Sequence, residues 1–202
     1  NIFKALGNEP PMYAHLPTVL NEQGEKMSKR NGAKPVTQYR EEGYLPDAMV
    51  NYLARLGWSH GDDEIFSRAQ FLQWFNLDHL GRSAAQFDEA KLRWVNAQHI
   101  KAMADDALAA LVAAQLQRTG LQADERLPAI CGLFKDRCDT TVALALWASA
   151  FYAEVTPKPQ DIEQHVTDAI RPALASLASK LEDCAWDRAS IASAIKEVLA
   201  LH

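Results

Sequence analysis

Three cations fall within the five residues Lys26, Met27, Ser28, Lys29 and Arg30, and the surrounding stretch GEKMSKRNGAKP adds Lys34 between Gly32 and Pro35. From Lys26 to Arg40 there are five basic residues and no acidic one, in a chain whose net charge is −5. A basic cluster that runs against the charge of its own chain suits a polyanion. Ammonium groups on a loop can follow phosphate oxygens as negative charge moves during a reaction. The competing reading is a solvated basic loop.

The flanking elements must hold this cluster in place. YAHLPTVL (13–20) is rich in strand formers, but Pro17 cannot donate to a ladder, so the segment reads as an edge strand or a strand end. NEQGEKMSKRNGAKP carries glycines and no apolar period, so it reads as a loop. From residue 35 onward helical spacing takes over. In LPDAMVNYLARLGW, Met49, Tyr52, Leu53 and Leu56 share a stripe, with Pro46 at the start and Gly57 at the stop. Leu127, Ile130, Cys131, Phe134 and Cys138 form a second stripe, and Ile191, Ala194, Ile195, Val198 and Leu199 a third. Ile170, Leu174, Leu177, Ala178 and Leu181 form a fourth, which Pro172 must open or kink. TTVALALWASAFY is apolar nearly all round, the pattern of a central helix. TGLQAD (119–124) and TPKPQD (156–161) are the clearest connections. The fold class expected is mainly α, with a helical bundle in the carboxy-terminal half.

KMSKR resembles the KMSKS signature of class I aminoacyl-tRNA synthetases, a loop that closes over ATP after the last strand of their nucleotide-binding domain. The stretch from Tyr13 to Phe66, above all SKRNGA and GYLPDAMVNYLARLGW, looks like the segment of bacterial glutamyl-tRNA synthetases that links this loop to a fold contacting the tRNA stem. The resemblance implies roles residue by residue. Lys29 matches the lysine that stabilises charge developing on the pyrophosphate leaving group, and Lys26 a supporting phosphate contact. Met27 and Ser28 match residues that pack near the adenosine and shape the loop. Arg30 replaces the final serine of the generic signature, as is usual in glutamyl and glutaminyl enzymes. The chemistry is positioning plus electrostatics: a carboxylate attacks the α-phosphate, pyrophosphate leaves, and a preorganised ammonium lowers the barrier. ATP, with Mg2+ in the full enzyme, is the implied cofactor; glutamate and tRNA-Glu are the implied partners.

No HIGH-like tetrad accompanies the loop. SHGD (59–62) and HLGR (79–82) lie after it rather than on a preceding strand-to-helix turn. The chain, which starts at Asn1, is therefore expected to be a piece of a longer protein and unable to activate glutamate alone. The implied organisation is the end of a catalytic domain with its ATP loop over 1–34, a stem-contact fold over 35–103 and a helical anticodon-binding domain over 104–202. A further helical domain, usual in the family, would lie beyond it.

The helical half separates close relatives. Glutaminyl enzymes and the archaeal and eukaryotic glutamyl ones resemble each other in using β-barrels for the anticodon, whereas the bacterial glutamyl enzymes use helical bundles. The extension also argues against the short paralogue that modifies tRNA-Asp. LFKDRCDTTVAL resembles the stretch carrying an arginine that reads the third anticodon base, which places that role on Arg137. A planar fork of donors can recognise or stack on a splayed base in a way lysine cannot; the alternative is an exposed arginine paired with Asp136 or Asp139. Arg40, Arg55 and Lys91 are candidate contacts to the tRNA stem. Trp58, Trp74, Trp94, Trp147 and Trp186 could stack on bases, although aromatic residues at helical spacing usually belong to a core.

Composition excludes several classes. The chain has 202 residues, 48% of them hydrophobic, enough for one or two cores. No run of about 18 apolar residues suggests a membrane span, and the amino end lacks the pattern of a secretory signal. A cytoplasmic monomer is expected. Cys131, Cys138 and Cys184 form no paired spacing, so they are expected to be reduced and mostly buried. The six histidines form no ligand spacing, and GDDE (61–64) reads as a turn, so no metal site is expected. Two rivals fit parts of the pattern: a non-catalytic helical RNA-binding module, and a helical scaffold in which KMSKR is accidental.

Overall fold

The computed structural model describes residues 2–30, 32–154 and 156–201. They form α1 (Ile2–Ala5), β1 (Val19–Leu20), α2 (Val36–Glu41), α3 (Pro46–Arg55), α4 (Arg68–Trp74), β2 (Ala85–Gln86), α5 (Glu89–Ala102), α6 (Asp105–Arg118), α7 (Leu127–Phe134), α8 (Thr141–Ser149), α9 (Pro159–His165), α10 (Arg171–Asp183) and α11 (Arg188–Leu201). A 3-10 turn, Lys135–Arg137, joins α7 to α8. The chain divides into two compact units, Asn1–Ala153 and Glu154–His202.

Local chemistry sets the helix starts. Pro46 opens α3, where its missing N–H costs nothing. Ser67 and Gln70 exchange hydrogen bonds in a capping box at α4. The Asp88 carboxylate accepts from Lys91 N–H at 3.0 Å to start α5, and Thr140 Oγ1 accepts from Ala143 N–H to start α8. Pro172 sits in the first turn of α10, which it opens rather than kinks.

β1 and β2 pair in parallel, Val19 opposite Ala85 and Leu20 opposite Gln86. Residues 13–18 belong to no helix or strand, and Tyr13 and Leu16 are exposed. Only the end of the strand-rich stretch enters a ladder, because Pro17 brings no N–H to one.

The core of the first unit runs from Tyr39, Tyr44 and Leu45 through Leu92, Val95 and Ile100 on α5 to Leu108, Val112 and Leu116 on α6 and Leu144 and Ala148 on α8. α8 differs from the sequence expectation of an all-round buried helix. It buries Leu144, Ala145 and Ala148, while Val142, Leu146 and Trp147 are exposed. The stripe ending at Cys138 is likewise broken, since α7 stops at Phe134 and Cys138 is buried beyond the 3-10 turn. In the second unit Ala194 and Val198 of α11 are buried, whereas Ile195 and Leu199 of the same stripe are exposed.

Candidate functional site

The basic loop starts where β1 ends. Asn21 Oδ1 accepts from the N–H groups of Gln23 and Glu25, and Asn21 N–H donates to Glu25 O at 2.7 Å, closing a tight turn. The chain then doubles back: Lys26 forms an antiparallel bridge with Leu20, and Met27 N–H donates to Val19 O at 3.0 Å. Met27 packs against the core and anchors the loop from inside. Ala33 N–H donates to Ser28 O at 3.0 Å, so Lys29 and Arg30 lie on a closed, exposed turn. Gly32 completes it at φ +86°, a conformation costly for any other residue.

Among the described residues Lys29 and Arg30 make no ion pair. Lys34 behaves differently. The sequence counts it with the loop cations, but its ammonium lies 2.9 Å from Glu89 Oε1 and 3.1 Å from Glu42 Oε2, and 5.4 Å from the Tyr39 ring centre. The hydrogen bond to Glu89, opposed by burial and aided by Glu42, holds its pKa above the ordinary lysine value. Lys34 is a clamp between α2 and α5 rather than a free phosphate ligand. Nothing in the sequence near Lys34 points to Glu89, 55 residues away. Glu42 has the opposite shift: burial pushes it up, but hydrogen bonds from Gln38 and Lys34 outweigh that and lower it.

A cleft of about 390 Å³ lies beside the turn, lined by Met27, Arg30, Lys34, Tyr39 and Phe87 with Glu22, Glu25 and Glu89. Its lining combines one exposed guanidinium and one ion-paired ammonium with three carboxylates, two of them from the loop itself. The cations without an ion pair among the described residues are therefore those of the turn itself, Lys29 and Arg30.

Arg137 sits on the 3-10 turn after α7 and is exposed. The expected competition from Asp139 does not arise. Asp139 pairs with Arg93 at 3.2 Å, and its carbonyl accepts from buried Asn96 Nδ2 at 2.6 Å. At the other end Lys135 Nζ donates to Met103 O at 3.0 Å and lies 2.8 Å from Asp105 Oδ1. The turn is thus fastened on both sides of Arg137, whose guanidinium has no ion-pair partner among the described residues.

The other candidates are dispersed. Arg40 is exposed in the last turn of α2. Arg55 is half-buried at the end of α3, beside a 270 Å³ hollow that also holds Lys91 and Glu64. Lys91 is 2.6 Å from Glu64 and 4.1 Å from the Trp94 ring centre, so it is engaged within the fold. In GDDE, Asp63 pairs with His60 and Glu64 with Lys91. Among the described residues no group of three or more His, Cys, Asp or Glu could hold a metal ion, and no helix is long and apolar enough to cross a membrane.

Residues 84–202 match the family model described as "Anticodon binding domain", and residues 1–94 match "tRNA synthetases class I (E and Q), catalytic domain". The chain belongs to the anticodon-binding-domain family. It is 82% identical over 199 residues to the glutamate–tRNA ligase of Albidiferax ferrireducens, covering 98% of this chain and 43% of that protein. It is 76% identical to the glutamate–tRNA ligase of Verminephrobacter eiseniae, covering 99% and 44%. The solved structure of a glutamate tRNA ligase from Elizabethkingia meningosepticum in complex with its amino acid superposes with a TM-score of 0.82 at 25% identity, over 99% of this chain and 44% of that one. The chain thus spans less than half the length of these relatives. Membership of this anticodon-binding family implies tRNA binding, and the mainly helical architecture agrees with that of the ligases it resembles.

Proposed function

We propose that the chain is part of a cytoplasmic, monomeric glutamate–tRNA ligase, joining glutamate to tRNA-Glu at the expense of ATP, with Mg2+ accompanying the nucleotide. In this reading residues 1–34 supply the nucleotide-closing loop, 35–103 the stem contacts with Arg40 and Arg55, and 104–202 the anticodon contacts with Arg137. The observation that carries it is the KMSKR turn. Met27 packs, partly buried, against the core, and the hydrogen bond from Ala33 to Ser28 closes the turn that presents Lys29 and Arg30 outward beside a cleft. The donor set suits a polyphosphate: two lysine ammonium groups and a guanidinium within five residues, on a backbone tied at both ends.

Lys29 supplies positive charge where pyrophosphate oxygens gain negative charge, Lys26 supports it, and Met27 and Ser28 fix the turn near the adenosine. Loss of one such preorganised group costs on the order of 100- to 1,000-fold in rate. In the full-length ligase, Lys29→Ala should lower glutamate-dependent ATP–pyrophosphate exchange by about that factor, while tRNA-Glu binding stays within a few-fold. The 202-residue chain alone should show no exchange, since it carries no HIGH-like tetrad. Unchanged exchange in Lys29→Ala would refute the assignment. Recognition is tested by binding tRNA-Glu, an anticodon-substituted tRNA-Glu and an unrelated tRNA at two salt concentrations. Arg137→Ala should erase the advantage of tRNA-Glu; equal binding of all three with a steep salt slope would leave only backbone contacts.

A further inference from the structure

The five tryptophans occupy different environments. Trp58 is buried among Phe66, Phe71 and Phe75. Trp74 is stacked on His60 with ring centres 4.2 Å apart, and Trp94 is capped by the Lys91 ammonium. Trp186 is 78% exposed with no ring beside it among the described residues. Trp147 combines two properties that the others lack together. It is 46% exposed, and it is backed at 5.1 Å and 28° by Phe134, which packs against the core. Phe151, also exposed, lies 6.0 Å from the same Phe134 ring.

A half-exposed indole lying on a half-buried phenyl ring is held in orientation from below and leaves π surface open above. Such a surface suits a planar, uncharged aromatic partner, because stacking needs only a free face and is indifferent to the edge that the partner presents. Phe134 is also the last residue of α7, immediately before the fastened turn that carries Arg137. Arg137, with its unpaired guanidinium, is thus three positions along the chain from the ring on which the indole lies. An unpaired RNA base needs both features, a face to stack on and a donor fork for its edge or flanking phosphate. Asp136 is exposed on the same turn and disfavours a phosphate run lying directly over it.

We propose that Trp147, backed by Phe134, whose ring Phe151 also adjoins, is a stacking platform for one unpaired base of the RNA loop whose neighbouring base Arg137 reads. This rests on the tRNA-reading role given to the domain above. Trp147 contributes affinity for an unstacked base of any identity, and Arg137 contributes the discrimination.

The test uses the chain with Trp147→Leu, which keeps apolar volume on Phe134 but removes the stacking face, and Trp147→Phe, which restores a smaller face. Binding is measured to tRNA-Glu and to tRNA-Glu made abasic at each anticodon-loop position in turn. Trp147→Leu should weaken tRNA-Glu binding by about 5- to 100-fold, with most of the loss recovered in Trp147→Phe. The salt slope should not change, because stacking neutralises no phosphate. One abasic tRNA should bind wild type and Trp147→Leu alike. Wild-type affinity in Trp147→Leu overturns the proposal. So does a loss that persists equally for every abasic tRNA, which would make the ring a packing residue. Self-association of the wild type that Trp147→Leu abolishes, with RNA binding unchanged, also overturns it and makes the surface a contact between copies. If wild type shows no preference for tRNA-Glu, the recognition reading fails, while the abasic comparison still decides the platform.

Discussion

The Lys34 clamp gives the sharpest perturbation of the loop, because it can be removed without touching Lys26, Lys29 or Arg30. In Lys34→Met the two ion pairs, at 2.9 and 3.1 Å with all three side chains about a third exposed or less, are lost. Partly exposed pairs of this kind contribute roughly 0.5–1 kcal/mol each. Glu42 and Glu89 face one another with or without Lys34, so their mutual repulsion cancels in the comparison of the two proteins. The two lost pairs weaken the attachment of the loop to α2 and α5 by roughly 1–2 kcal/mol, or about 5- to 30-fold in the equilibrium for opening. Trypsin reports that equilibrium directly, since Lys26, Lys29 and Arg30 are its substrates and cleavage tracks the open population when reclosing is fast. Lys34 itself precedes Pro35 and is not a cleavage site, so the substitution neither adds nor removes one. Nicking at Lys29 and Arg30 should accelerate by about 5- to 30-fold in Lys34→Met and by less than about 5-fold in Lys34→Arg. Added salt should raise the wild-type rate toward that of Lys34→Met. Equal nicking of wild type and Lys34→Met would refute the clamp and leave Met27 and the Ser28–Ala33 turn as the whole restraint.

Two further outcomes follow from titratable groups. His99 Nε2 lies 2.9 Å from Asn51 Oδ1, which also accepts from Phe66 N–H while Asn51 Nδ2 donates to Glu64 O, so the amide is fixed and His99 must donate. Burial lowers the His99 pKa, with Asp47 opposing; its contribution is therefore fully present above about pH 6.5 and is lost as pH falls through the folded value. Thermal melts from pH 7.5 to 5 should show a fall in Tm that His99→Gln flattens; parallel curves would refute it. Cys131 is buried with its thiol pushed up to about 11, chiefly by burial, and burial also raises Cys138. Iodoacetamide at pH 8 should label half-buried Cys184 first and reach the other two only on unfolding, as mass spectrometry of the peptides would show.

What the sequence shows about this molecule is local. The KMSKR turn is legible because its letters, Gly24, Gly32 and Pro35 lie within twelve residues, and α3 is legible because Pro46, its apolar stripe and Gly57 do. The partners of those features are not. Lys34 reads as one more cation until folding brings Glu89 to it. The stripe from Leu127 predicts burial of Cys138, which holds, but not the 3-10 turn. That turn depends on Lys135 reaching Asp105 and Met103 O, and on Gly132, where a Cβ would lie 2.7 Å from Asp105 Oδ2. Apolar residues around α8 suggest burial on all sides, yet amphipathic position alone cannot say that Val142, Leu146 and Trp147 stay exposed.

The two turns that carry the candidate chemistry are joined through one set of buried hydrogen bonds. Gly43, at φ +91° after α2, offers a carbonyl that accepts from Thr141 N–H at 3.0 Å, and a Cβ there would lie 2.7 Å from Val142 N. Only glycine lets the backbone after α2 approach the start of α8 so closely. Asn96, fully buried on α5, accepts from Leu45 N–H at 2.8 Å and donates to Asp139 O at 2.6 Å, so one amide satisfies the backbone beside α3 and the backbone beyond Arg137. α2 is also the helix that Lys34 grips through Glu42. The loop with Lys29 and the turn with Arg137 are therefore anchored to a single core, although no sequence motif links residues 26–30 to residue 137. Buried backbone groups left without these partners would each cost about 1–3 kcal/mol. That cost is what holds α2, α3, α5 and α8 in the register that sets the spacing between Lys29 and Arg137.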